Sequence, residues 1–339
     1  MSTILSNSQV LSAIGLPADT VTKLLTAQGN DYAAVSNTFL TALVNKICYQ
    51  KIEKMDFSNP FKKFDSYPVK FGTTIENVFV DTPLGYQYDT DGDDPFKSHD
   101  PVVKSLYVSI NYQMQYCVSI KRDFVRQCCL NEYGFMELIK YIITSINTRR
   151  AVDEYMATII AMNNKDIYAG GFEEIDVSTK STDAEKYKMI VKKIATTIND
   201  FKLPSIDNNK QGVLTSTPME HTLLVAKQEV LDNIDFDYLA GVYNLSKVDL
   251  MAKIIPVRSF KCVINTSNGQ TLTPSEKGDD IDFILVDDRG FDNHVAVEDN
   301  ASIYNPKKRQ TNYFADLWKI ISYRTDFQAR AFKIKKQVV

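Results

Sequence analysis

The sequence predicts an α+β fold, and two unusually long elements in its first half lead to that prediction. Apolar and polar residues alternate from Leu106 to Ile120, which is typical of a strand with one buried and one solvated face. Apolar residues then recur at spacings of three and four from Phe135 to Ile160, which predicts a long amphipathic helix. Shorter helical and extended patterns fill the second half, so the whole chain is assigned to the α+β class.

The predicted strand at 106–120 is long. Its even positions are all apolar and its odd positions are mostly polar, with Tyr107 and Cys117 as the exceptions. Fifteen extended residues would reach roughly 50 Å, which is two to three times the length of an ordinary strand. A strand of this length either protrudes from a compact domain or spans a flat one.

The segment before this strand mirrors it and predicts a long β-hairpin, in which Ile75 to Val80 would pair with Tyr112 to Ile120 near the base. From Ile75 onward the alternating residues are Val78, Val80, Thr82, Leu84, Tyr86 and Tyr88. The two runs are joined by 89–95, where Asp-Gly and a following Pro favour a turn. The hairpin therefore has an acidic tip. Because an isolated two-stranded hairpin is marginal in water, we expect it to lie on another copy of the protein.

The predicted helix runs from Glu132 to Asn163. The pairs Asn163-Asn164 and Gly170-Gly171 supply its stop signals. About 30 helical residues span roughly 45 Å, well above the usual length. The apolar periodicity slips at 148–150, so the buried face is expected to change partner there.

The remaining chain has shorter patterns that predict shorter elements. Residues 1–50 predict short helices, and 51–74 predict an extended, irregular arm. An amphipathic helix is predicted at 183–201. From Gly212 onward short strands and helices are expected to mix over 213–215 and 221–226, followed by a helical turn at 237–240. Strands are predicted at 254–257, 262–264 and 281–286, with turns at 268–269 and 288–290.

Composition limits the function classes. The 339 residues carry a net charge of −3, with 44% hydrophobic and 24% charged residues, which is ordinary for a globular protein and points to neither nucleic acid nor membrane. The first residues lack a signal-peptide pattern, and no apolar run approaches a membrane span. The five cysteines are interpreted as reduced, buried thiols of an intracellular product.

Candidate catalytic and metal sites are weak. His99, His221 and His294 lie far apart without ligand spacing, so they are interpreted as ordinary surface or core histidines. The acidic run 89–94 does not follow the EF-hand pattern; it is interpreted as a solvated turn or as a tip that meets basic residues of a neighbour, with a loose calcium site as the alternative. We predict no enzyme activity, no cofactor and no bound metal.

Two basic segments leave alternatives open. Arg149-Arg150 is interpreted as a solvated helix face, with a neighbour's carboxylate or packaged DNA as rival partners. The tail 333–336 is interpreted as a charged strand edge rather than a binding patch.

The order of these segments resembles the major capsid proteins of tailed bacteriophages with the Hong Kong ninety-seven fold, especially those of small short-tailed phages and crAss-like phages. The similarity covers residues from about 57 to 334. The matching stretches are Asn59-Pro60-Phe61, Gly72, Ile75, Glu76, Val80, Pro101 to Lys104, Tyr107, Asn111, Val118 to Ile120, Leu239 to Asn244, Lys247, Ser302 to Pro306, Asn312, Trp318 and Phe327.

The resemblance implies a domain organisation. Residues 1–75 would be a helical N-terminal arm, and 76–104 would be the extended loop (E-loop) that lies across an adjacent subunit. The segment 105–170 would form a peripheral domain with the long helix as its spine. Residues 171–309 would form the axial domain, and 310–339 would return to the peripheral domain.

The resemblance also implies partners. The chain would assemble into hexamers and pentamers of an icosahedral shell in the host cytoplasm and would remain in the virion. The shell would enclose double-stranded DNA without sequence specificity and would associate with portal, scaffold and decoration proteins, but not with a membrane. The interface residues expected on the E-loop are Leu84, Tyr86, Tyr88, Asp89, Asp91, Asp93, Asp94 and Phe96.

Two other functions stay open at this point. An encapsulin-like nanocompartment would keep the fold and enclose a protein cargo. An intracellular hydrolase would use Asp89, Asp91 and His99 as its catalytic groups.

Overall fold

The computed structural model describes most of the chain from residue 57 onward. The described residues are 57–70, 74–85, 100–121, 132–178, 180, 182–232, 234, 253–265, 271–272 and 281–335. They divide into two compact units. Unit 1 contains 57–59 and the described parts of 112–154 and 297–318, and unit 2 contains those of 60–111, 155–296 and 319–335.

The elements follow in chain order. The strands are β1 (Ile75–Val80), β2 (Val103–Val108), β3 (Tyr112–Lys121), β4 (Phe172–Asp176), β5 (Thr222–Lys227), β6 (Ile254–Val257), β7 (Ile264–Asn265), β8 (Thr271–Leu272), β9 (Phe283–Asp287), β10 (Phe291–Asn305), β11 (Gln310–Tyr323) and β12 (Ala329–Lys335). The α-helices are α1 (Glu132–Met162), α2 (Asp183–Lys202) and α3 (Gln228–Leu231). Short 3-10 helices occupy Pro60–Phe64, Lys165–Ile167, Met219–His221 and Asp288–Gly290.

Unit 2 is built around a five-stranded mixed sheet in the order β4-β12-β9-β5-β6. Strand β9 is buried along its whole length, and β5 is buried except at its last residue. Successive side chains of a strand point to opposite faces. Leu224 accordingly belongs to a core that includes α2, whereas Leu223 belongs to a second core that includes Ile159 of α1 and Phe61. Both faces of this sheet are therefore covered, which explains the continuous apolar runs of β5 and β9.

Helix α2 confirms the predicted helix at 183–201. The hydroxyl of Thr182 caps it by accepting a hydrogen bond from the backbone N–H of Glu185 at 3.4 Å. Its buried face contains Ile190, Val191, Ile194, Ile198 and Phe201. Because their spacing places these residues on one side of α2, the helix covers one face of the sheet.

Helix α1 confirms the predicted long helix, and it ends one residue before the expected Asn163. The Asn163 side chain is buried and donates to the carbonyl of Phe260 at 3.0 Å. Asn164 accepts from the backbone N–H of Asp166 at 3.1 Å and so starts the following 3-10 turn. Both asparagines take part in ending the helix, as the sequence predicted.

The prediction of a single strand over 106–120 is wrong. The alternation is real, but the residues form two strands, β2 and β3, that belong to different sheets. The break falls at Asn111, whose side-chain amide donates to the carbonyl of Ile321 at 2.7 Å and accepts from its backbone N–H at 2.9 Å. Because this side chain takes the place of a backbone ladder partner, the strand is interrupted there.

The predicted hairpin pairing also needs correction. Strand β1 pairs with β2, not with Tyr112–Ile120, which lies beside β11 instead. Within the single subunit, Asn77 and Phe79 of β1 are buried, whereas the alternating Val78 and Val80 are exposed. The hydrogen bond from Asn77 to Asp292 at 2.7 Å accounts for a buried polar residue at that position.

Several smaller predictions fail for local reasons. Cys117 is exposed, since it lies on the solvated side of β3. Residues 213–215 do not form a strand; a single bridge joins Ser205 to Thr215 there. Within the return segment 310–339, β11 lies beside β3, but β12 lies between β4 and β9 in the unit 2 sheet. Over 333–335 β12 pairs with β4, whereas its pairing with β9 ends at Phe332.

Some expectations fall outside the described residues. These are the short helices at 1–50, the acidic hairpin tip, the helical turn at 237–240, the Asn268-Gly269 turn and the cysteines at 48, 128 and 129. The predicted strand at 254–257 and the turn at 288–290 are confirmed as β6 and a 3-10 turn.

Candidate interaction surface

The antiparallel pair β1–β2, called the ribbon below, is the candidate site. Its register runs from Ile75 opposite Val108 to Val80 opposite Val103. The ladder continues past the strands, because the backbone N–H of Asp81 donates to the carbonyl of Val102 at 2.9 Å. The two strands form a sheet of their own, so the ribbon is a separate two-stranded element within unit 2.

One face of the ribbon is fixed to the rest of unit 2. Asn77 and Phe79 are buried on this face. Asn77 Nδ2 donates to Asp292 Oδ2 at 2.7 Å, and Lys104 Nζ donates to the carbonyl of Gln211 at 2.6 Å. Each strand therefore contributes one polar anchor to this inner face.

The opposite face, called the outer face below, is apolar and exposed. Residues directly opposite each other in a ladder project to the same face, and here Val78 faces Ser105 while Val80 faces Val103. The exposed fractions of its large residues are 50% for Val78, 57% for Val80, 55% for Val103 and 63% for Tyr107. The Tyr107 hydroxyl donates to Glu76 at 2.7 Å and closes the polar end of the face. An apolar surface of this kind on a thin ribbon is typical of a protein interaction site.

The structure describes only one of the predicted interface residues. Leu84 is 94% exposed at the end of the described ribbon. The other predicted residues, Tyr86, Tyr88, Asp89, Asp91, Asp93, Asp94 and Phe96, lie outside the described residues. Val78, Val80, Val103 and Tyr107 were not predicted as interface residues. The alternation that places Val78 and Val80 on one face of β1 carried the signal.

The two arginines of α1 are paired within their own unit. Arg149 Nη2 lies 2.9 Å from Asp153 Oδ1. Arg150 lies 3.1 Å from Glu154 and 2.6 Å from Glu298, and these carboxylates raise its pKa against the effect of burial. The guanidinium of Arg150 is three-quarters buried, so its interpretation as part of a solvated face is wrong.

Asp153 stands at the centre of a buried polar cluster in unit 1. Its Oδ2 accepts from the Tyr116 hydroxyl at 3.2 Å, and Tyr116 lies 3.0 Å from the hydroxyl of Tyr112. Burial raises the pKa of Asp153, although the hydrogen bond from Arg149 opposes the shift. Burial likewise raises the pKa of Tyr112 and Tyr116, so both phenols stay protonated near neutrality.

Other candidate sites give little support for chemistry. His294 is buried against Asp292, and His221 is half-buried against Asp288, in keeping with ordinary histidines. Over the described ranges, no group of three or more His, Cys, Asp or Glu side chains is placed to hold a metal ion. The acidic run 89–94 and His99 lie outside those ranges. Among the helices within the described ranges, none is long and apolar enough to cross a membrane.

Comparisons with known sequences agree with the resemblance. A family model described as Phi29-like phage major capsid protein matches residues 13–333. The chain is 28% identical over 305 residues to the major capsid protein of Bacillus phage PZA, covering 88% of this chain and 64% of that protein. It is 26% identical over 296 residues to the major capsid protein of Streptococcus phage Cp-1, covering 84% of this chain and 79% of that protein. The chain thus spans less than two thirds of the PZA protein.

Solved structures show the fold. A chain from the capsid structure of Staphylococcus phage Andhra has a TM-score of 0.63 at 9% identity, with 84% of this chain and 88% of that chain covered. A chain from the mature capsid of bacteriophage PhiM1 has a TM-score of 0.59 at 10% identity, with 85% and 91% covered. These similarities confirm the predicted α+β capsid fold of the Hong Kong ninety-seven type. By its sequence match along nearly the whole length, the chain belongs to the family of Phi29-like phage major capsid proteins.

Proposed function

We propose that this chain is the repeating subunit of an icosahedral phage head and that the outer face of the ribbon lies against the adjacent subunit. The single observation that carries the proposal is the exposed apolar face formed by Val78, Val80 and Val103. Covering such a face with a second copy removes apolar surface from water at about 25 cal/mol per Å². A shell repeats this contact in every subunit, so a modest gain per ribbon stabilises the whole assembly.

The anchoring of the inner face supports this role. Asn77 and Lys104 attach the ribbon to its own subunit, so the outer face is presented in a fixed direction. A preorganised surface loses less conformational entropy on binding than a free loop does. The exposed Leu84 extends the apolar surface toward the tip.

The remaining predicted interface residues extend this contact in the proposal. Tyr86, Tyr88 and Phe96 would serve as aromatic anchors, which often carry much of the energy of an interface. The acidic residues of the tip would set register and orientation against basic groups of the neighbour. Those acidic residues are Asp89, Asp91, Asp93 and Asp94.

We propose the family's domain roles for the corresponding segments. Residues 1–75 would be the N-terminal arm, 76–104 the E-loop, 105–170 the peripheral domain, 171–309 the axial domain and 310–339 the return segment. The long helix α1 supports a spine role in the peripheral domain. The five-stranded sheet of unit 2 supports a compact axial domain, with β12 as one of its central strands.

The partners follow from the same proposal. Subunits would form pentamers and hexamers in the host cytoplasm and enclose double-stranded DNA without sequence specificity. Portal, scaffold and decoration proteins would complete the head. The family match favours this reading over a nanocompartment with protein cargo. Nuclease-protected DNA in the purified particles would support the proposal, and a protein cargo in place of DNA would contradict it.

A pair of charged substitutions tests the ribbon contact. The variant Val80→Asp with Val103→Asp places two carboxylates directly opposite each other on the outer face. The matched control, Leu203→Asp with Leu214→Asp, changes two other exposed apolar residues outside the ribbon. Both variants should keep wild-type circular dichroism, because between 44% and 63% of each replaced residue is already exposed in the single subunit.

The two variants should differ in assembly. Sedimentation and electron microscopy should show closed particles for wild type and for the Leu203/Leu214 control. The Val80/Val103 variant should yield free subunits or capsomers, since burying unpaired carboxylates costs several kcal/mol per contact. Closed particles of normal size and yield from this variant would refute the assignment of the outer face to the subunit interface.

A further inference from the structure

The buried side chain of His294 on β10 faces two hydrogen-bond acceptors. Its Nε2 lies 2.8 Å from Asp292 Oδ1, and its Nδ1 lies 2.8 Å from the carbonyl oxygen of Tyr67. A carbonyl oxygen and an ionised carboxylate both accept hydrogen bonds and cannot donate them. Each ring nitrogen therefore needs its own proton if Asp292 is ionised.

This arrangement requires one proton more than a neutral histidine and an ionised aspartate together hold. A neutral imidazole carries a single N–H and can satisfy only one of the two contacts. The additional proton belongs to the His294–Asp292 pair as a unit, whether it rests on the ring or on the carboxyl group. Without that proton, two lone pairs would face each other across a distance of 2.8 Å at one of the contacts.

The pair lies where the ribbon joins the rest of unit 2. The second oxygen of Asp292, Oδ2, accepts from Asn77 of β1 at 2.7 Å. Tyr67 belongs to the segment that leads into the ribbon, and the backbone N–H groups of Ser66 and Val69 in that segment donate to carbonyls of β10 at 2.8 and 2.9 Å. The protonated pair thus ties both β1 and the chain preceding it to β10.

We propose that His294 and Asp292 form a proton-dependent latch that holds the root of the ribbon on β10. The latched form binds one proton more than a released form with a neutral histidine and an ionised aspartate. By linkage, the latch is therefore stable at low pH and weakens as pH rises. This property belongs to the single subunit and does not depend on the proposed assembly.

The surrounding charged groups have partners of their own. Arg324 acts electrostatically on Asp292 but is held by Asp326 at 2.7 Å. Asp65, in the segment that contains Tyr67, is paired with Lys319 at 2.8 Å. The ring of Tyr67 packs edge-on against His294 at 4.8 Å between centroids, and Asn77 is uncharged. None of these groups supplies a proton donor to replace the one lost from the pair.

Hydrogen–deuterium exchange of the full-length chain from about pH 5 to about pH 9 tests the latch. A peptide covering 65–69 reports on the segment around Tyr67, and a peptide covering 75–80 reports on β1. Their measured exchange rates are corrected for the pH dependence of intrinsic amide exchange. Once the pair has lost its proton, protection in both peptides should fall by up to about tenfold per pH unit. Peptides from β5 and β9 in the sheet core should show no such trend.

Three variants separate the latch from general stability. His294→Gln, which does not titrate, should make protection of both peptides low and independent of pH. Asn77→Ala cuts the tie to β1 alone, so 75–80 should lose its pH dependence while 65–69 keeps it. The control His221→Gln removes another histidine that lies 2.8 Å from a carboxylate, Asp288, but it should leave both profiles as in wild type.

The pH dependence of protection in the wild-type protein tests the latch even if a variant fails to fold. Protection at 65–69 and 75–80 that does not change with pH, or that rises with pH, would overturn the proposal. Loss of the pH dependence in His221→Gln would overturn it as well, because the proton would then lie elsewhere. Sedimentation of each sample in parallel keeps a defect in assembly distinct from a defect in the latch.

Discussion

Gly290 and Tyr323 are packed so closely that the position of Gly290 has no room for a side chain. A Cβ atom built on Gly290 would lie 2.6 Å from Cε2 and from the hydroxyl oxygen of Tyr323. The Tyr323 ring is buried and also packs edge-on against Phe291, with ring centroids 5.4 Å apart. Because the ring is confined, it cannot move aside cheaply.

We predict that Gly290→Ala destabilises the subunit by about 1–3 kcal/mol, the usual cost of overpacking a core. Chemical denaturation of the full-length chain gives this free energy of unfolding. The matched control is Gly170→Ala, since a Cβ at Gly170 would have nothing within 4 Å. Equal stability of the two variants would show that Tyr323 relaxes freely, contrary to this packing.

The hydroxyl of Tyr323 should contribute separately from its ring. It lies 3.1 Å from the backbone nitrogen of Asp287 and 3.1 Å from the carbonyl oxygen of Gln328, both buried. Burial raises the pKa of Tyr323, so the phenol remains a donor. The backbone N–H of Asp287 also donates directly to the carbonyl of Gln328 at 3.0 Å, so both groups keep a partner without the hydroxyl. Tyr323→Phe should therefore cost roughly 0.5–1.5 kcal/mol, the net value of an ordinary hydrogen bond. Tyr67→Phe, at a largely exposed ring, should be close to neutral, and a comparable loss there would remove the special role of Tyr323.

Two aspartates should give opposite pH dependence of stability. Burial raises the pKa of Asp153, so the folded state binds more protons there than the unfolded state does, and stability falls as pH rises above the ordinary carboxyl range. Hydrogen bonds from Ser178 lower the pKa of Asp176, so its contribution is present above that range and is lost as pH falls.

The Asn variants of both residues measure these effects. Relative to Asp153→Asn, the wild-type protein should become more stable as the solution becomes more acidic. Relative to Asp176→Asn, the wild-type protein should become less stable over the same change. Slopes of equal sign in denaturation series across the acidic range would contradict the assigned causes.

Local patterns of the sequence predicted the helices well. The buried face of α2 follows from the spacing of its apolar residues, and the end of α1 follows from Asn163, directly after its last turn. The fold class follows from these elements together with the resemblance. Hydrogen bonds between residues distant in sequence could not be predicted from local patterns. Asn111 interrupts a nearly strict alternation because its side chain is hydrogen-bonded to the backbone of Ile321, which lies 210 residues away.

The candidate surface shows the same limit. Alternation in 75–80 predicted a strand but did not say which face is buried. That choice is made by Asp292, which accepts from Asn77 across a separation of 215 residues and turns the valines outward. The apolar face of β1 therefore lies at the surface of the single subunit.

Negative-stain electron microscopy of the purified full-length chain tests the central claim most directly. The proposal predicts closed shells, or rings with fivefold and sixfold symmetry, because interfaces of this kind bury on the order of 2,000 Å² or more. Fields of dispersed single subunits at protein concentrations well above the micromolar range would contradict the claim that this chain builds a capsid shell.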